Sequence, residues 1–448
     1  MKHKIIVALL LITGMLQAQD KKETFSFTLK EAIDHAVQHN YSVINADRDV
    51  AAAKEKKWET TTMGLPQITG DVNYLNNFVF TQQGISGNAF NPAGDPDGVT
   101  TIAFGTKNSM TAGATLRQLL FDGSYLVGLQ SAKTYLKISE NAKVKTSQEV
   151  KEIVVNSYGN VLLADESILI LQKNQGILNK TLSDTRETFK NGLIEEENVE
   201  QLQITLSSLD SSLENVKRQR TIALNMLKLV LGIDLDSDLE LKDKLESLTQ
   251  NNIDLELLTT EFNVANNIDY QIGENMLTSK QLLLKYEKSK ALPTLSAGLN
   301  FGYNAFSNEF SFFNGDQKWN NFSNLGVNLS IPIFSSGARS SRTQQAKIAM
   351  EQSQTQLTET GQKLRLEFQK AKSDYDYSLA QLATSKSNLK LAERIENKNQ
   401  TKFREGLSSS FDLTEAQRQL YTSQQNYLQA MLDVINKRAT LEKLLNKN

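Results

Sequence analysis

Phe189-Lys190-Asn191-Gly192-Leu193 and Phe403-Arg404-Glu405-Gly406-Leu407 carry one pattern twice, 214 positions apart. Before the first lies a segment with apolar residues at Val154, Tyr158, Val161, Ile168, Leu171, Leu178, Leu182 and Phe189. After it, Val199, Leu202, Leu206, Leu209, Leu213, Val216, Arg220, Ala223, Leu227 and Val230 step alternately by three and four, and only Arg220 is not apolar. The second turn is followed by a matching series: Leu413, Ala416, Leu420, Ser423, Tyr427, Ala430, Val434, Lys437, Leu441 and Leu444. Sustained steps of three and four keep one stripe of each helix facing a partner, the mark of coiled-coil packing. A continuous helix from Gly123 to Phe189 would be roughly 100 Å long at about 1.5 Å per residue. A helix of that length, then Asn-Gly, then a returning helix predicts an antiparallel helical hairpin in each half.

Working outward, the duplication covers almost the whole chain. Leu65-Pro66-Gln67-Ile68-Thr69 matches Leu292-Pro293-Thr294-Leu295-Ser296 at an offset of 227, and Ala132-Lys133 matches Ala346-Lys347 at 214. Each half is expected to run helix, strand, loop, strand, long helix, turn, helix. The expected divisions are 1–18 for a secretory leader, 19–232 for the first repeat, 233–252 for a polar inter-repeat segment and 253–448 for the second repeat. Strands are expected at about 67–78, 109–119, 294–304 and 324–333.

Those strands alternate strictly. Leu295, Ala297, Leu299, Phe301 and Tyr303 interleave with Ser296, Gly298, Asn300, Gly302 and Asn304. Leu325, Val327, Leu329 and Ile331 interleave with Gly326, Asn328 and Ser330. Period two sends each set to one face. An apolar outer face with Leu299, Phe301, Val327 and Leu329 toward lipid, and a small polar inner face, fits an outer-membrane barrel. A soluble sheet would also alternate. Four strands cannot enclose a pore, and unpaired edges in lipid cost several kcal/mol per backbone group. A membrane reading therefore requires several copies, and three would supply twelve strands. Between the paired strands, Thr81–Asn108 reads as a long Gly- and Pro-containing loop and Phe306–Asn321 as a shorter aromatic one.

Composition narrows the class further. The chain has 448 residues, 39% hydrophobic and 22% charged, with a net charge of −2 and no cysteine. Near-neutrality gives no reason to expect nucleic acid as a partner. Disulfides, thiolate metal sites and a lipid anchor on an N-terminal cysteine are excluded. Lys2, Lys4 and the apolar run Ile5 to Ile12 read as a leader cleaved after Ala18. No later stretch approaches the ~20 apolar residues of a spanning helix. His35 and His39 have a spacing that can bind metal, but their repeat counterparts Phe262 and Asn266 favour packing and surface roles. No phosphate-binding loop, nucleophile elbow or triad is visible, so neither an enzyme nor a cofactor is expected. An exported coiled-coil scaffold with a soluble sheet is the alternative to a membrane conduit.

Several local motifs complete the pattern: Leu29-Lys30-Glu31-Ala32-Ile33 with Asn40, Leu65-Pro66, Leu120-Phe121-Asp122-Gly123, Ile331-Pro332-Ile333-Phe334-Ser335-Ser336-Gly337, and the two Phe-x-x-Gly-Leu turns. In this order and duplication the chain resembles the TolC family of outer-membrane efflux channels. The resemblance implies a homotrimer with a 12-stranded barrel in the outer membrane and twelve packed helices in the periplasm. Its implied partners are a periplasmic adaptor (membrane fusion protein) and an inner-membrane transporter that supplies the energy. It also implies that the hairpin turns at Gly192 and Gly406 close the periplasmic end, with Asp412 and Glu415 lining the constriction. A carboxylate ring would attract cations; the same two acids could also be ordinary helix-start residues favoured by the dipole. The chain departs from the family pattern at Ser408, where a gating arginine is expected, at Phe403, where a tyrosine is, and at Asn198, where an aspartate is. Glu195, Glu196 and Glu197 could supply charge instead. The transported substrate is not legible.

Overall fold

The structure, a computed structural model, describes residues 24–90 and 92–446. The leader expected at 1–18 lies outside them. The described residues divide into two compact units. One contains 24–50, 139–274 and 356–446; the other contains 51–138 and 275–355.

In chain order the elements are β1 (Thr24–Phe27), α1 (Leu29–His39), α2 (Tyr41–Thr62), β2 (Gln67–Asn76), β3 (Gln82–Ser86), β4 (Val99–Ala103), β5 (Asn108–Asp122), α3 (Gly123–Lys190), α4 (Glu196–Leu231), β6 (Asp238–Leu241), α5 (Leu245–Asn251), α6 (Ile268–Ser289), β7 (Thr294–Ser307), β8 (Trp319–Ser330), α7 (Ala338–Arg404) and α8 (Ser410–Leu444). Two short 3-10 turns precede α6.

The first unit is built on the two hairpins, α3 with α4 and α7 with α8. Leu171, Leu178 and Leu182 of α3 meet Leu202, Leu209 and Leu213 of α4 in one core cluster, which Leu413 of α8 also enters. A second cluster joins Val154, Tyr158 and Val161 to Leu227, Leu231, Met431 and Ile435. Fully burying one such leucine contributes roughly 1.5–3 kcal/mol, so the heptad stripe supplies the packing energy. The charged interruptions of the two series, Arg220 and Lys437, are both compensated. Arg220 pairs with Asp165 on α3, and Lys437 pairs with Asp374 on α7 at 3.0 Å. Among the described residues, α3 is long and apolar enough to cross a bilayer by length and composition alone. Val154, Tyr158, Val161 and Leu162 of that helix are buried in the core, so α3 is a core helix.

Two buried tyrosines tie the long helices to the segments beside them. Tyr158 Oη donates to the Phe27 carbonyl and the Asp243 carboxylate, both at 2.9 Å. Tyr375 Oη accepts from the Asp254 amide at 2.9 Å. The inter-repeat segment is more ordered than its polar composition suggested: β6 pairs in parallel with β1, in register Thr24 with Asp238 through Phe27 with Leu241. Four-residue strands are too short to show a period. His35 packs against Phe25 and Phe27, and its ring stacks on His39 at 4.1 Å, an aromatic contact and not a ligand geometry.

The second unit holds a four-stranded antiparallel sheet in the order β2-β5-β7-β8. The register aligns the alternating residues into two faces. Ile68, Leu116, Leu299 and Leu325 lie in one row; Thr69, Thr115, Asn300 and Asn324 lie in the neighbouring row on the other face. The polar row is hydrogen-bonded across the strands: Thr115 Oγ1 donates to Asn300 Oδ1 at 2.8 Å, and Asn300 Nδ2 to Asn324 Oδ1 at 2.8 Å. Gly113 and Gly302 are opposite one another, and the Phe322 ring lies over them, 2.8 Å from where a Cβ on Gly302 would sit. The expected loop 81–108 contains a hairpin of its own, β3 with β4. Its strands are five residues each and Gly84 interrupts the first, which hides the alternation. The connection between β7 and β8 packs Phe310 and Phe312 against Tyr74, with Trp319 beside Phe312.

Candidate constriction at the two hairpin turns

Both turns end their helices in the same way. At the first, the Leu193 amide donates to the Thr188 carbonyl at 3.2 Å and the Gly192 amide to the Phe189 carbonyl at 2.8 Å. At the second, Leu407 donates to Lys402 at 2.8 Å and Gly406 to Phe403 at 3.1 Å. Gly192 and Gly406 have φ of 74° and 72°, the left-handed conformation that closes a helix C-terminus and favours glycine. The chain is thereby reversed without a long loop, and Leu193 and Leu407 are left exposed at the two tips.

The returning helix α8 starts with a reciprocal cap. Ser409 Oγ accepts from the Asp412 amide at 3.2 Å, while the Asp412 carboxylate accepts from the Ser409 amide at 3.1 Å and hydroxyl at 2.8 Å. The Ser409 hydroxyl, then its amide, hold the Asp412 carboxyl below the usual carboxylate range. Glu415, one turn on, is gripped by Arg418 Nε at 2.9 Å, and that contact lowers its carboxyl as well. Both acids are solvent-accessible and ionised at neutral pH. Asp412 thus has a capping role in the chain itself, and Glu415 is partly neutralised by Arg418.

The first returning helix is capped differently. Glu195 stands at the N-cap of α4 without a side-chain capping bond, and Glu196 and Glu197 fill the first turn, where the helix dipole favours negative charge. Asn198 reaches across to the other hairpin: its Oδ1 accepts from the Ser410 amide at 3.2 Å. Phe403 packs its ring against the leucine cluster of α3 and α4. Ser408 Oγ is buried with no hydrogen-bond partner among the described residues. Asn198, Phe403, Ser408 and Asp412 line one open cleft of about 1270 Å³ between the hairpins, whereas Glu195 and Glu415 do not line it.

Sequence reasoning passed over Glu396 and Gln417. Stepping by three and four from Phe368 through Ala371, Tyr375, Ser378, Leu382, Ser385 and Leu389 to Ala392 lands on Glu396, an acid in a core register. It is 7% exposed, and Gln417 opposite it is 1% exposed. Burial pushes the Glu396 carboxyl up, against smaller opposing effects of Arg404 and a hydrogen bond from Gln417.

With this geometry in view, comparison with known proteins is decisive. The model of the family described as outer membrane efflux protein matches residues 32–233 and 279–447. The chain belongs to that family. Among characterised relatives, outer membrane protein TolC of Vibrio cholerae serotype O1 is 21% identical over 330 residues, covering 73% of this chain and 74% of the relative. Among solved structures, CusC superposes with a TM-score of 0.74 at 18% identity, covering 94% of this chain and 93% of its own. The Campylobacter jejuni CmeC outer membrane channel superposes with a TM-score of 0.70 at 19% identity, covering 94% and 85%. The family's place is the outer membrane, and the helical hairpins and alternating sheet described above are its TolC-like fold.

Proposed function

We propose that three copies of this chain form a passive exit duct of a tripartite efflux or type I secretion system. Twelve strands, four from each copy, close a barrel in the outer membrane, and the helical hairpins form a periplasmic conduit whose entrance is the paired turns. The observation that carries this reading is the sheet. Among the described residues it ends in two unpaired edges, β2 and β8, and one face exposes Ile68, Val72, Leu299, Phe301, Leu325, Val327 and Leu329. An open edge beside an exposed apolar face is untenable in water and in lipid alike. Pairing β2 of one copy with β8 of the next removes the edges, and lipid covers the apolar face.

The polar face, rich in Thr and Asn, would then line the lumen, and Asp412 and Glu415 would recur three times around the entrance. Such carboxylates favour cations over anions. The duct does no chemistry on its cargo and needs no cofactor. Energy comes from an inner-membrane transporter, coupled through a periplasmic adaptor for which Leu193 and Leu407 offer apolar contacts at the tips.

Cysteine cross-linking tests the assembly without background thiols, because the chain has none. Pairs placed on β2 and β8, scanned over neighbouring positions such as Val72 and Val327, are expected to link copies into a ladder ending at the trimer, in membranes that resist carbonate extraction. Release by carbonate with no inter-copy linkage at any pair contradicts the proposal.

A further inference from the structure

We propose that Glu396 is a proton-operated latch in the second hairpin: protonated, it locks α7 to α8 beside the tip cleft, and ionised, it lets them part. The proposal rests on reading the tips as the entrance of a duct.

The position is built for an apolar residue. Glu396 falls in the heptad stripe of α7 seven residues before Phe403, and its counterpart in the first repeat, seven residues before Phe189, is Leu182, which is buried in the leucine cluster. The second repeat places a buried carboxyl group there, near enough to the equally buried Gln417 for that side chain to act on it. Gln417 Oε1 is buried with no hydrogen-bond partner among the described residues. A carboxylate only accepts, so it can take the amide N–H but leaves that oxygen unpaired. A carboxylic acid accepts through its carbonyl and donates through its O–H, forming a two-bond ring with a primary amide. Orphaning a buried oxygen costs about 1–3 kcal/mol, so the proton decides whether this contact is closed. Glu396 also lines the tip cleft, which gives its proton a route to solvent.

Burial, not the surrounding charge, favours the acid form. On α7 itself, Arg404 is the cation that draws Glu396 toward ionisation, and burial outweighs it. From α8, the Tyr421 hydroxyl faces it, pushed up to about 12 by its own burial and by Glu396. Across the cleft, α3 presents Lys180 and Asp184, and the second turn and α8 present Glu405 and Asp412. A carboxyl whose pKa is raised by folding stabilises the packed state fully below the ordinary carboxylate value. That contribution is lost as pH rises through the raised value. Acid tightens the second hairpin; neutral to alkaline conditions loosen it.

Hydrogen exchange of the detergent-solubilised full chain tests this without any ion flux. Amides of 393–404 and 410–421, corrected for intrinsic exchange, are expected to exchange several-fold faster at about pH 8 than at about pH 5. Glu396→Gln, which keeps a neutral amide there, and Glu396→Leu, which copies the first repeat, are both expected to abolish the difference. Wild-type protection that is equal at the two pH values overturns the latch, as does a Glu396→Gln protein that retains the wild-type difference. Bilayer recordings on the same samples separate the two readings: a pH-sensitive tip in a protein that never conducts contradicts the duct alone.

Discussion

Asn198 on the first returning helix accepts a hydrogen bond from the Ser410 amide at the start of the second, at 3.2 Å. Two residues 212 positions apart, each at the start of a returning helix, are thereby joined directly. Asn198→Ala removes the acceptor and leaves the Ser410 amide without it. A neutral hydrogen bond of this kind contributes about 0.5–1.5 kcal/mol. Exchange of the Ser410 amide should accelerate up to about tenfold, with global unfolding little changed; an unaltered rate at that amide would show that the contact does not hold the tips.

The helix-ending glycines separate conformational strain from steric overlap. Gly406 has a positive φ with open space where a Cβ would be, whereas a Cβ on Gly232 would overlap the His39 carbonyl. Gly406→Ala should cost about 1 kcal/mol from backbone strain. Gly232→Ala should cost clearly more, because α1 must also shift. Chemical denaturation of the two variants gives the comparison, and equal costs would contradict it.

Tyr158→Phe deletes the hydroxyl shared by Phe27 and Asp243. The loss should lower stability by about 1–3 kcal/mol, since a buried acceptor is left unsatisfied. Leu202→Ala and Leu413→Ala, in the hairpin core, should cost about 2–5 kcal/mol each. Thermal unfolding that ranks Tyr158→Phe above both leucine variants would place the dominant stabilisation in the polar junction instead of the coiled-coil core.

Leu299→Arg and Val327→Arg put a charge on the apolar face of the sheet, next to one another in the register of Leu299 with Leu325 and Ala297 with Val327. Arg at the middle of a lipid face costs about 2–4 kcal/mol. Both variants should accumulate outside the membrane fraction while keeping their helical circular dichroism. Wild-type membrane insertion of both would mean that this face does not meet lipid.

The long helices and the strands were legible because their periods repeat over many residues and occur in both halves. Gly192 and Gly406 were legible because only a left-handed turn residue fits between two such helices. The β1–β6 pair was not, since four residues cannot display a period and its partners are separated by most of the first repeat. Asp412 was open to two readings, constriction acid or helix-start acid, and its bonds to Ser409 show the capping that the second implies without deciding the first. Glu396 was hidden by its charge: an acid in a heptad series looks like a break until its burial is seen. The Asn198–Ser410 contact joins two turns through tertiary structure alone, and nothing in either turn's own sequence announces it.

Under the proposed duct, Asp412 and Glu415 bear on selectivity and its pH dependence. Asp412 and Glu415 both have lowered carboxyl values, through Ser409 and Arg418 respectively, so each keeps its charge as pH falls through the ordinary carboxylate range and loses it only below. Asp412→Asn with Glu415→Gln should reduce cation preference at neutral pH, and wild-type preference should persist to lower pH than unperturbed carboxyls would allow. The deciding measurement is single-channel current through the purified mature protein in a planar bilayer under a salt gradient. Discrete cation-selective steps, weakened in the double variant, are the expected result. Membrane-inserted trimers that pass no current, in the wild type and in Asn198→Ala alike, would contradict the duct.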